Sequence, residues 1–183
     1  MNLTTGDVLA TLHRWIAEGR VDDAARARAR QHWLERQATE DATMAGVLLD
    51  LAERSRPITI TTAAGQRLTG PVVAMGANFT VLRDPRVGDT FVPLDQVGVV
   101  RTAPGDRLPL GDRALTLAAT LGTALAELAA GRPDVIVGAP GEKVRGELQS
   151  VGADMVTVAL DRARRDRVHI HLPTIDHVVI LGN

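Results

Sequence analysis

The sequence predicts an α+β chain in which N-terminal helices precede two runs of five short strands, each run introduced by a helix. Three observations carry this. Apolar residues recur at helical spacing up to about residue 54, the pattern changes to period two from Pro57, and the second half of the chain repeats the spacing of the first.

The first helix opens on Thr4 and Asp7, a capping pattern, continues through Val8, Leu9, Leu12, Trp15 and Ile16, and closes at Gly19. A second begins at Asp22 and Asp23 and carries Ala24, Ala27, Trp33 and Leu34 among Arg26, Arg28, Arg30, Glu35 and Arg36. A third, from about Thr39 to Arg54, places Met44, Val47, Leu48, Leu51 and Ala52 on one stripe. After Pro57, Ile58 and Ile60 alternate with Thr59 and Thr61, and Ala64 and Gly65 make a turn. Leu68–Met75 and Phe79–Arg83 follow as strands, with Phe91–Val92 and Val97–Val100 completing the first run. Residues 103–106 read as a linker, Asp112–Ala130 as a helix with Leu117, Leu121, Leu125 and Leu128 in line, and strands resume at Val135.

A shift of 76 residues lays 56–82 on 132–158. Arg56, Pro57, Ile60, Ala63, Gly65, Gly70, Gly76 and Ala77 then fall on identical residues. Downstream, Leu94 and Val97 match Leu172 and Ile175 at a shift of 78. Conserved glycine spacing across several elements marks positions where backbone must turn or approach closely. The residues Ile58, Ile60, Gly65, Leu68, Gly70, Met75–Leu82 and Phe91–Val100 resemble the Sm/LSm/Hfq small β-barrel. The second copy carries the same likeness through Gly141, Val144, Gly146–Val158 and His171–Ile175. The resemblance implies two Sm-like five-stranded barrels, each preceded by a helix, and divides the chain into a helical extension (1–40), a first barrel unit (41–103) and a second (104–183). It also implies edge-to-edge self-association.

Composition narrows the chemistry. The chain has 183 residues, with 21 Lys and Arg against 22 Asp and Glu, a net charge of −1, and 45% apolar residues, enough for a core. A whole-face basic footprint for duplex nucleic acid is absent. Zero cysteine excludes disulfides, thiolate metal sites and a cysteine nucleophile, and fits a reducing, cytoplasmic setting. The longest apolar stretch, Ala114–Ala126, is too short to cross a bilayer, so no membrane role is expected. No phosphate loop, nucleophile elbow, dinucleotide fingerprint or His-Glu-x-x-His is present, so neither catalysis nor a cofactor nor a small-molecule substrate is expected.

Candidate residues are correspondingly few. Arg162, Arg164, Arg165 and Arg167 cluster in the hairpin between the third and fourth strands of the second run and offer a phosphate grip. Asn78, in the loop that the resemblance assigns to RNA, offers hydrogen bonds to a base. The loop that should hold a basic pair carries Pro93–Gln96 and Pro173–Thr174 instead. Trp15 and Trp33 are candidate anchors for a protein partner. His169 and His171 share one side of a strand, near Asp176 and His177, but lack a third ligand at a recognisable spacing, so no metal is expected. The resulting expectation is a non-enzymatic, self-associating interaction module, with RNA binding through Asn78 and the arginine hairpin as the alternative.

Overall fold

A computed structural model describes residues 26, 28–34, 36–37, 40–106, 111, 113, 118–160 and 166–182. The chain divides into two compact units, Met1–Asp41 and Ala42–Asn183. In the smaller, residues 28–34 are helical and exposed.

The larger unit is built on strands. Helix α1 (Met44–Arg54) leads into β1 (Pro57–Thr62), β2 (Arg67–Met75), β3 (Phe79–Asp84), β4 (Gly88–Pro93) and β5 (Val97–Arg101). Helix α2 (Leu121–Ala129) leads into β6 (Asp134–Ala139), β7 (Glu142–Val151), β8 (Met155–Ala159), β9 (Arg167–His171) and β10 (His177–Ile180). Their spatial order is β5-β1-β2-β3-β4-β10-β6-β7-β8-β9, antiparallel throughout.

This overturns the expected architecture. The strands form one open ten-stranded sheet, not two closed barrels, and the Sm/LSm/Hfq likeness, with its duplicated small barrel, is not supported. The physical reason lies in β4 and β10. Val178 pairs with Phe91, Val179 with Thr90 and Ile180 with Asp89, so the ladder continues across the place where two separate barrels would end. Joining the halves satisfies two rows of backbone N–H and C=O groups that separate units would leave open.

Within that sheet the two halves use the same devices. Gly70 faces β3 so closely that a Cβ would lie 2.4 Å from the Arg83 carbonyl oxygen, and Gly146 meets the Ala159 oxygen at 2.1 Å in the same way. The ladders slip between Val72 and Ala74 and between Leu148 and Ser150, bulges that bend β2 and β7 at matching places.

Each helix pads one half. The helix expected from about Thr39 starts at Met44, because the Thr43 hydroxyl accepts the Gly46 N–H (3.0 Å) and fixes the cap there. Leu48 and Leu51 of α1 pack with Ile58, Ile60, Val72, Leu82 and Val92. The second helix, expected from Asp112, starts at Leu121 after a Thr120–Thr123 capping box; Leu117 lies outside the described residues. Leu121 and Leu125 of α2 enter a larger core with Val135, Val137, Leu148, Val158 and Val178. Phe79 and Val81, from β3, belong to this second core as well, so the halves share packing as well as a ladder. Among the described residues no helix is long and apolar enough to cross a membrane.

Candidate functional site

The two ends of the sheet occupy equivalent places. β10 pairs with β6 on one side and β4 on the other, whereas among the described residues β5 has only β1 beside it in the sheet. Likewise β4 lies between β3 and β10, whereas among the described residues β9 has only β8. Register fixes the equivalence residue by residue. Ile60 pairs with Val100 as Val137 pairs with Val178, and Ile60 and Val137 are matching buried positions of β1 and β6, so Val100 stands where Val178 stands. Val81 pairs with Phe91 as Thr157 pairs with His169, so His169 stands where Phe91 stands.

Burial follows the pairing. Val178 is 0% exposed between β4 and β6, while Val100, in the equivalent place on an outer edge, is half-buried, and Val99 beside it is 43% exposed. Arg101 and Arg167 are exposed where the inner seam has Val179 and Asp89. The His169 ring is held by a 3.1 Å hydrogen bond between Nδ1 and the Thr157 hydroxyl across the β8–β9 ladder. At the inner seam Asp89 is bound instead by Arg83 in a two-pronged contact of 2.7 and 2.8 Å. That hydrogen bonding holds the Asp89 carboxyl below its ordinary range and raises the Arg83 guanidinium above its own.

The residues singled out in the sequence do not converge. Asn78 is spent structurally: its Oδ1 accepts the Leu121 N–H at 2.8 Å, capping α2 from 43 positions away. The Ala77 N–H adds a 2.7 Å bond to the Ala119 oxygen. Arg167 opens β9, and Arg162, Arg164 and Arg165 lie outside the described residues. Trp33 is 55% exposed on the helical segment of the smaller unit, beside Leu34 at 53%; Trp15 lies outside the described residues.

A second polar group, which spacing alone assigned no role, lies beside the inner seam. Asp176 and His177 are buried, with Nδ1 of the ring 2.8 Å from Asp176 Oδ2. The ring covers Gly138, where a Cβ would come within 2.4 Å of His177 Cε1. Two adjoining clefts of about 250 Å³ each share Gln66, Lys143 and His177. A broader cleft of about 700 Å³ is lined by Arg132 and Arg145 together with Asp134 and Glu147, a balanced set of charges. Among the described residues no three His, Asp or Glu side chains gather to hold a metal ion.

No protein-family model matches the chain, and no curated protein matches it. The outer edges could have been located from the sequence only by knowing which strands join, since Val100 and Val178 both sit in apolar runs.

Proposed function

We propose that this chain is a non-catalytic assembly module whose sheet extends by adding a second copy, β9 of one molecule pairing with β5 of the next. One observation supports this above the rest: the chain already contains such a junction, β4 against β10, and β5 and β9 hold the places of β10 and β4 with, among the described residues, no strand on their outer side. An edge strand with open backbone groups is a template for another strand, and the strand that fits β5 is one placed like β4. β9 is that strand. Contacts of this kind are head-to-tail, so repetition gives a ring if the rotation closes and a filament if it does not. A cytoplasmic location, supported by the lack of cysteine, accompanies this reading.

Size-exclusion chromatography with light scattering tests it on the full chain at micromolar concentration. The expected result is a species of two or more copies that dissociates in Val99→Asp. A strict monomer at every concentration and salt defeats the reading.

A further inference from the structure

We infer that the cleft beside the buried Asp176–His177 pair binds a small organic cation with several N–H donors, a guanidinium or a primary ammonium. An orphaned atom points to the ligand. The Asp176 side chain is 5% exposed, and its Oδ1 has no hydrogen-bond partner among the described residues. Folding rarely leaves a buried carboxylate oxygen without a donor, because nothing then replaces the water it gave up. Asp176 cannot easily turn to find one. Its backbone N–H donates to the Gly138 oxygen at 2.8 Å, and its Oδ2 is engaged by His177 Nδ1 at 2.8 Å.

The chemistry around that oxygen selects the ligand. An ionised carboxylate only accepts hydrogen bonds, so Nδ1 of His177 carries the proton and Nε2 of the neutral ring is a second acceptor. Both residues line a cleft of about 250 Å³ with Glu142 and Lys143, beside the β6–β7 turn, and Gln66, beside the β1–β2 turn. One water occupies about 30 Å³ of liquid, so this space admits a molecule of several heavy atoms. Two carboxylates there outnumber the one ammonium, and Lys143, which carries it, is exposed. Among the described residues no three His, Asp or Glu side chains gather for a metal ion. An organic cation needs no such set, since it brings N–H groups to the acceptors, five from a guanidinium or three from an ammonium. Because the walls come from both halves of the sheet, an occupant bridges them within one chain, whether or not copies associate.

The test titrates the full chain with methylguanidinium chloride and with ethylammonium chloride, following the His177 ring signals by NMR, assigned through His177→Gln. Tetramethylammonium chloride at equal ionic strength is the control, a cation with no N–H to donate. Saturable shifts are expected with the first two salts and none with the third. Asp176→Asn should weaken binding about tenfold or more, the scale of one hydrogen bond to a charged group. Should that buried substitution prevent folding, Glu142→Gln on the exposed turn should weaken binding severalfold. Lys143→Met, which removes the like charge, should tighten it. No saturation with either donor salt, or an equal response to tetramethylammonium, overturns the site. Weaker binding in Lys143→Met overturns its preference for cations.

Discussion

The inner seam and the outer edges are the same kind of place in the backbone and different kinds of surface. At the seam, Val178 and Ile180 face Phe91 in a core that also takes Phe79 and Val81 from β3. At the edges Val100 and Arg101 take the places of Val178 and Val179, and His169 and Arg167 those of Phe91 and Asp89. Apolar side chains across a ladder make a permanent joint, because separating them returns their full surface to water. Exposed polar and basic side chains hold a neighbouring strand less firmly, and salt weakens what charge contributes. The contrast teaches that one backbone place can carry an apolar or a polar surface, and that side-chain chemistry sets how firmly a strand laid there would be held.

The largest effect expected from breaking that contrast is at the seam. Val178→Asp places an unpaired carboxylate in a position of 0% exposure, and urea denaturation should show a loss of about 4 kcal/mol or more, or outright failure to fold. A charge on the outer edge strand, Val99→Asp, should leave stability within about 0.5 kcal/mol of wild type while abolishing association. Similar losses of stability in both variants would mean that the outer edge is covered within the chain.

Asn78→Ala sharpens the same comparison at smaller scale. It removes the acceptor for the Leu121 N–H at the start of α2, leaving the Thr120–Thr123 capping box, and thermal unfolding should register about 1 kcal/mol of destabilisation. Filter retention of RNA unaffected by this variant would agree with a structural role for the side chain; a selective loss of RNA with unchanged stability would contradict it.

The smallest effect concerns Arg83 and Asp89. Because Asp89 titrates lower in the folded chain than its ordinary value, their contact stabilises fully above the usual carboxylate range, and the contribution is lost as pH falls through the lowered folded value. Arg83→Ala should therefore be measurably less stable than wild type at pH 7, with the gap narrowing below about pH 4. A gap constant with pH would assign the effect to packing.

Much of the local structure was legible because it rests on local chemistry. Gly70 and Gly146 announced themselves by spacing, and the structure shows neighbouring carbonyls where side chains would stand. Alternation in Ile58–Thr61 gave β1, with Ile58 and Ile60 buried. Strand partnership was not legible, because an apolar run such as Val97–Val100 reads the same whether it ends a sheet or lies within one. Closing each run on itself was the simpler reading, and β4 pairing with β10 overturned it. Asn78 misled for a related reason: a polar residue in a short loop looks available until a helix 43 positions away takes its oxygen. The Asp176–His177 pair was visible only as neighbours, since burial against Gly138 is a fact of tertiary packing.

The place of β10 has a consequence for how the chain reaches this state. It follows the nine other strands in sequence, yet it sits in the middle of the sheet, between β4 and β6. While the polypeptide emerges during synthesis, β4 must wait for its neighbour until the entire second half has been made. Throughout that interval the nascent chain displays a sticky border to whatever is nearby, including sibling chains on the same message. Final insertion of β10 is thus the step that turns two provisional halves into a single cooperative body, and it links residues as distant as Phe91 and Val178, a separation that slows folding.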